Sequence, residues 1–255
     1  MHTLKHMEKD SIIEKELEEK KLVREFFNHK KGGFYIEVGA NEPDEIYSQS
    51  MHLETELEWS GLLIEPIDYL AEKLRKKRPN AEVVECACTK IEKIGNLELI
   101  IPITQNGDIS GSATLCANLD HALINATRKL KVITKTLDSI IEEHAKGAKI
   151  DFLSIDVEGT ELDVLKGANL ETHNPKLIIV EDRLVFLGKH LFLKKMGYKF
   201  FRRTGFNNWY AKKIPNGSTS FINQLNLFRK IYLSSWIKRV RESFRMRTFK
   251  TFLQL

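Results

Sequence analysis

The chain of 255 residues has no run approaching the roughly 20 apolar residues that a membrane-spanning helix needs, which argues against a helical membrane protein. Cysteine is scarce. Cys86, Cys88 and Cys116 are odd in number and lack CxxC spacing, so neither a disulfide framework nor a cysteine zinc site is indicated; free thiols in a reducing compartment fit. The first twenty residues are rich in Lys and Glu and lack the apolar core of a secretory signal, so the expected compartment is the cytoplasm. No GxGxxG glycine run follows any candidate strand, which disfavours a dinucleotide site. Internal repeats and low-complexity segments are also missing. What remains is ordinary globular composition, 42% hydrophobic and 29% charged, enough for one core with a terminal extension.

The most informative stretch is Phe34 to Asn41, FYIEVGAN. Its β-forming residues, flanked by Gly32-Gly33 and Gly39, suit a strand buried on both faces, and Gly39 allows a ligand to approach the backbone. The site is therefore expected beside Gly39. Upstream, residues 8–29 alternate charge with Ile12, Ile13, Leu17, Leu22, Val23, Phe26 and Phe27 near helical spacing, and predict a helix whose Glu-Lys run is a solvated face.

Downstream, a polar loop leads to a helix through Met51, Leu53 and Leu57, then a strand at 62–66 (LLIEP). A helix carrying the basic run KLRKKRP follows, then a strand at 82–87 (EVVECA). This alternation implies a parallel sheet with right-handed crossovers. Residues 89–134 are irregular apart from a strand at 97–103, and a polar loop at 108–112 could close over substrate. Regularity returns with a helix over 137–144, a strand at 149–156, a helix opened by Glu158 to Glu161, a strand at 175–181 and a helix at 184–196. A hairpin of 197–203 and 209–213 closes the pattern. The expected architecture is α/β and Rossmann-like, a seven-stranded, mostly parallel sheet with a C-terminal hairpin and flanking helices. It divides into a helical extension (1–33), a catalytic domain (34–214) and a tail (215–255).

Three acids stand where strands end: Glu37, Glu65 and Asp156. Those ends line one crevice in a doubly wound sheet. A carboxylate at Glu65 presents two acceptors at the spacing of two ribose hydroxyls, and Glu37 is suited to a ligand's amino end. Each acid could instead merely cap the helix that follows. The loop has one glycine where a diphosphate site wants three, and the nearby acids would repel a diphosphate, whereas a cofactor with a cationic amino-acid end and a ribose suits them. Cys86 and Cys88 are expected on one face of one strand, as core packing rather than as nucleophiles.

YIEVGAN, GLLIEP, RPNAEVVECA, TLDSII and, above all, IDFLSIDVEGTELDVLKG resemble the FkbM-type family of S-adenosylmethionine-dependent methyltransferases, in order, from about Phe34 to Glu181. The resemblance implies a class I methyltransferase fold, S-adenosylmethionine as cofactor and methylation of a hydroxyl oxygen, often on a sugar, glycolipid or polyketide. By the same resemblance Glu37, Gly39, Ala40 and Asn41 would hold the methionine end, Glu65 with Pro66 the ribose, and Cys86-Ala87 would flank the adenine. Asp156 and Glu158 would stand at the methyl-transfer centre, Asp156 also touching the cofactor. Pro43 departs from the family, whose members commonly carry glycine there. A general base for the acceptor hydroxyl is expected among Asp156, Glu158 and His173, the last of which also reads as a plain loop histidine. Asp156 with Glu181 and Asp182 would offer three hard oxygen ligands for Mg²⁺, a less favoured arrangement.

Over 221–255, Phe221, Leu225, Phe228, Tyr232, Trp236, Val240 and Phe244 recur every three or four residues among eight Lys or Arg and one acid, Glu242. This pattern suits a basic amphipathic helix that either docks on an anionic membrane or a partner, or packs on the protein's own sheet. Nucleic acid is not an expected partner. The expected acceptor is a small molecule, glycan or glycolipid. The alternative function is a catalytically inactive, methyltransferase-like scaffold.

Overall fold

The computed structural model describes residues 2–44, 46–103, 113–115, 126–183, 186–217, 219, 221–234 and 240. The chain divides into two compact units, Met1–Pro175 and Lys176–Leu255.

In the first unit, α1 (His2–Phe26) precedes β1 (Phe34–Val38), α2 (Met51–Leu57), β2 (Ser60–Ile64), α3 (Asp68–Lys77) and β3 (Ala81–Val84). After a second, smaller sheet come α4 (Leu137–His144), β7 (Phe152–Ile155) and α5 (Glu161–Lys166). Strands β3, β2, β1 and β7 lie side by side in that order, all parallel. The run of β-formers at Phe34 to Val38 behaves as its composition dictates: Tyr35, Ile36, Glu37 and Val38 are all buried, as in a strand covered on both faces. Because the chain builds outward from β1 through β2 to β3 and then returns to β1's other side as β7, the connection reverses there. Ligands of open α/β sheets bind at such reversals, outside the carboxyl ends of the strands.

The smaller sheet lies in the stretch whose path the sequence left open. It consists of β4 (Ala87–Cys88), β5 (Gly95–Ile103) and β6 (Ala126–Lys135), with β6 central, parallel to β4 and antiparallel to β5. Its inner face, including Leu99, Ile101 and Val132, packs with Ile67 and Leu70 in one apolar cluster. The expected single strand at 82–87 is thus two pieces in two sheets. Cys86 falls between them, so the thiols of Cys86 and Cys88 do not share one strand, although both are buried.

The second unit holds β8 (Leu177–Glu181), α6 (Gly188–Lys195), β9 (Lys199–Thr204), β10 (Asn207–Ala211) and α7 (Phe221–Phe228), which runs into a π-helical turn at Arg229–Ser234. Strand β10 is antiparallel to both β8 and β9, and the closing hairpin turns at Gly205-Phe206, three residues tighter than the expected loop. The fold is therefore of the expected α/β class, with seven main strands, four in the first unit and three in the second. The loop predicted at 108–112 and nearly all of the tail beyond 234 lie outside the described residues.

Two expectations need correction. The polar face of α1 is not wholly solvated: Glu19 and Lys20 are each 2% exposed, while the apolar Leu17 is half exposed. In addition, Arg78, read from sequence as part of a basic helical surface, is 1% exposed.

Candidate functional site

The carboxyl ends of the first unit's strands are laced together by main-chain bonds. Gly39 N donates to Ile64 O (2.9 Å), Glu65 N to Val84 O (3.1 Å) and Asp156 N to Val38 O (3.0 Å). Gly39 sits at φ +84°, and a Cβ there would meet the Asp156 carbonyl oxygen at 1.9 Å, so only glycine allows β1 and β7 to end this close together. At these strand ends two further residues, Asn41 at φ +51° and Glu158 at φ +54°, are among the non-glycine residues with left-handed backbone. Such conformations concentrate at ligand sites, where the surrounding structure holds them.

Above these ends lies a cleft with about 700 Å³ of free space, counting its open mouth. Gly39, Asn41, Glu65, Pro66, Cys86, Ala87, Asp156 and Glu158 all line it, so the structure gathers eight of the ten sequence-predicted site residues around one cavity. Leu99, Ala113 and Leu115 bring the smaller sheet and its neighbouring segment to the wall. Thr114 pairs with Ile100 in an isolated antiparallel bridge, and its Oγ1 donates to the Glu158 carbonyl at 2.7 Å.

Glu65 is the deepest acid of the cleft, 4% exposed. Its Oε2 accepts from Asn41 N (2.8 Å) and its Oε1 from Ile67 N (2.9 Å), leaving acceptor capacity on both oxygens. Burial pushes its carboxyl up to about 7; the two amide bonds pull it down and the charge of Glu42 adds to the rise. Cys86 is pushed up to about 11 and Cys88 well above its ordinary range, both by burial, so these thiols stay protonated and line the cleft as small apolar groups.

Glu37 and Ala40 are not on the wall. Glu37 is turned away from the cleft: Ser48 Oγ (3.1 Å) and Ser50 Oγ donate to its Oε2, and Gln49 N donates to its Oε1 (2.8 Å). Ala40 is buried, with its amide on Ile64 O at 3.2 Å. His173 also leaves the list of possible bases. Its Nε2 lies 2.6 Å from Asp138 Oδ1 on α4, and it does not line the cleft. In the second unit Asp182 accepts from Asn208 Nδ2 (3.2 Å) and pairs with Lys189 (3.5 Å). Among the described residues no three His, Cys, Asp or Glu side chains gather as a metal set.

Sequence reasoning missed the support behind Glu37. Arg78 donates to Glu54, Ser48, Ser50 and Tyr35, tying the end of α3 to the loop after β1. A signal was present, because Leu70, Leu74 and Arg78 fall four residues apart, the first two on the buried face of α3 and Arg78 at its C-cap.

The sequence profile of the methyltransferase FkbM domain matches residues 37–200. The chain belongs to the FkbM methyltransferase family. The family is one of S-adenosylmethionine-dependent methyltransferases. Among solved structures it is similar to a METTL16 methyltransferase domain (14% identity, TM-score 0.41, 76% of this chain and 66% of that one). It is also similar to Sp1610 of Streptococcus pneumoniae, a putative tRNA (m1A22) methyltransferase (12%, 0.40, 87% and 83%). A third is the N-terminal domain of human METTL16 in complex with S-adenosylhomocysteine (15%, 0.35, 72% and 62%). The chain spans just under two thirds of the two METTL16 structures described here. No curated protein sequence matches it.

The residues present fit the family's cofactor. Among the described residues three carboxylates and no Lys, Arg or His line the cleft, which favours a cationic ligand over a phosphorylated one. Glu65 offers paired acceptors for a ribose diol, and Ile67, Leu70, Cys86, Ala87 and Leu99 supply an apolar wall for a flat base.

Proposed function

We propose that this FkbM-family protein methylates a hydroxyl oxygen on a sugar, glycan or related metabolite. Bound in the cleft, S-adenosylmethionine supplies an electrophilic methyl group on a sulfonium. The observation that carries the reading is the buried Glu65 carboxylate, fixed by two backbone amides in a crevice that no cationic side chain lines among the described residues. In this reading Glu65 and Pro66 hold the ribose, Cys86 and Ala87 flank the adenine, and Gly39 and Asn41 lie against the methionine end, with Glu37 and Ala40 supporting them from behind.

Asp156 and Glu158 also line the cleft. Their carboxylates are suited to orient an acceptor hydroxyl and to take its proton as the oxygen attacks, which is the one proton transfer an O-methylation requires. The bridge from Thr114 to the Glu158 carbonyl fixes that turn, so the acid is placed before substrate arrives.

Calorimetric titration with S-adenosylhomocysteine tests the cofactor, and a screen of glycans and glycolipids with labelled S-adenosylmethionine tests the acceptor. Glu65→Ala should weaken binding at least about a hundredfold, because the ribose loses a charge-assisted pair of bonds in a buried site. Binding that survives Glu65→Ala unchanged would remove the ribose role. Transfer to a nitrogen of an RNA substrate in place of a hydroxyl would overturn the acceptor class.

A further inference from the structure

The loop that follows β1 is held by two separate sets of bonds. Residues 39–41 are pinned to β2: Gly39 N and Ala40 N donate to Ile64 O, and Asn41 N donates to Glu65. Residues 48–50 hang on an interior charge cluster instead. There the Arg78 guanidinium donates through Nε to Glu54 Oε1 (2.9 Å), through Nη1 to Ser48 Oγ (2.9 Å) and through Nη2 to Ser50 Oγ (2.8 Å) and Tyr35 Oη (3.1 Å). A further Nη2 contact reaches Glu54, whose carboxylate also accepts from the Tyr35 hydroxyl. The two serines pass the restraint on to Glu37, at the penultimate position of β1.

One guanidinium therefore sits between two buried carboxylates, Glu37 and Glu54. Arg is the one side chain with enough donors in a fixed fork to serve both serines, the tyrosine and Glu54 together; Lys has three donors on a single point.

We propose that Arg78 is the positioning residue for the methionine side of the cofactor cleft, acting through Ser48, Ser50 and Glu37 on the end of β1 that leads into Gly39 and Asn41. This rests on the cofactor reading above. The ribose and adenine side, at Glu65, Pro66, Cys86 and Ala87, is held by Ile67 N and by strand-end bonds outside the cluster. Arg78 thus separates two halves of one ligand: a change there loosens the end of β1 beside the amino-acid end and leaves the nucleoside end in place.

The test is calorimetric titration of wild type, Arg78→Lys and the charge-relieved pair Arg78→Met with Glu54→Gln, each confirmed as folded by cooperative urea unfolding. Two ligands are compared: S-adenosylhomocysteine, and 5′-methylthioadenosine, which keeps the nucleoside but has no amino-acid end. Wild type is expected to bind both. The variants are expected to lose about tenfold or more for S-adenosylhomocysteine, the cost of losing a preorganised strand end, and to stay within about twofold for 5′-methylthioadenosine. Equal losses for both ligands, or no loss for either, would overturn the proposal, since a merely structural arginine makes no distinction between them. A wild type that binds neither would overturn the cofactor reading and this inference together, an outcome plainly different from wild-type binding with unchanged variants.

Discussion

At the scale of single residues, two buried titratable groups set opposite pH dependences. His52 is 1% exposed. Arg24 Nη1 donates to its Nδ1 (3.1 Å), so its proton sits on Nε2, facing Gln49 O (3.1 Å). Burial, with the charges of Arg24 and Lys20, drives it down to about 3 from an ordinary 6.5. Unfolded chain takes up this proton below pH 6.5 and folded chain does not, so the contribution of neutral His52 is complete above pH 6.5 and is lost as pH falls towards 3. Glu65, raised to about 7 from 4.5, acts in reverse. Its contribution is complete below pH 4.5 and is lost as pH rises through 7, amounting to about 3 kcal/mol at roughly 1.4 kcal/mol per unit. Between pH 4.5 and 6.5 the two slopes oppose each other, and single variants separate them. Relative to wild type, Glu65→Gln should gain about 2–3 kcal/mol between pH 4.5 and 7.5, and His52→Gln should gain a similar amount between pH 7 and 4. Urea midpoints across pH read both; curves parallel to wild type would sink the assignment of either group.

At the scale of elements, α1 is the part whose role composition concealed. Glu16, Lys20 and Arg24 stand four residues apart on one face; the first two grip the segment between β1 and α2, and Arg24 grips the first turn of α2. Gln49 Nε2 donates to Glu16 (3.2 Å), Lys20 Nζ to Ile46 O (2.5 Å) and Arg24 Nη1 to His52. Charge periodicity looked like solvation because a helix's charged stripe reads the same whether it meets water or a loop's carbonyls. The apolar anchors Val23 and Phe27, which the spacing did indicate, are buried, and Phe27 meets the Trp59 ring edge-on at 4.9 Å. Lys20→Ala should therefore cost about 1–3 kcal/mol by leaving the Ile46 carbonyl without its donor, whereas Lys15→Ala, on the exposed side, should stay within about 0.5 kcal/mol. Chemical denaturation of the two variants compares them directly, and equal effects would return the stripe to a solvent role.

The same contrast explains which elements were legible. Strands β1, β2, β7 and β8 were readable because each is a short apolar run ended by an acid or a turn, and both faces are covered. The smaller sheet was not, since β4 spans two residues and β6 interleaves Arg128, Lys129 and Lys131 with its apolar positions, a pattern that local periodicity cannot tell from a surface loop. The cleft was legible because its acids sit at strand ends. The inward turn of Glu37 was not, because it depends on Ser48, Ser50 and an arginine 41 residues further along the chain, and no local spacing encodes that contact.

At the scale of the whole molecule, every residue lining the cleft belongs to the first of the two units, Met1–Pro175. Strands β8, β9 and β10 belong to the second, which carries its own buried network around Asn208, Asp182 and Trp209. A ligand that binds folded protein alone stabilises whatever unfolds together with its site, by about 2.7 kcal/mol at a hundred times Kd, which corresponds to roughly a hundredfold slowing of exchange through that unfolding. If each unit is its own cooperative unit, S-adenosylhomocysteine should slow amide hydrogen exchange at Ile36, Leu63 and Leu153 by about that factor and leave Ile178 and Tyr210 unchanged. Local protection should be greatest over 38–41, 64–67, 86–88 and 156–160, the stretches that border the cleft. Mass-resolved exchange with and without ligand measures all of these positions at once. Equal slowing at Leu153 and Tyr210 would show one cooperative molecule, with the ligand's stabilisation shared across the boundary near Pro175; slowing at neither, under saturating ligand, would place the cofactor elsewhere.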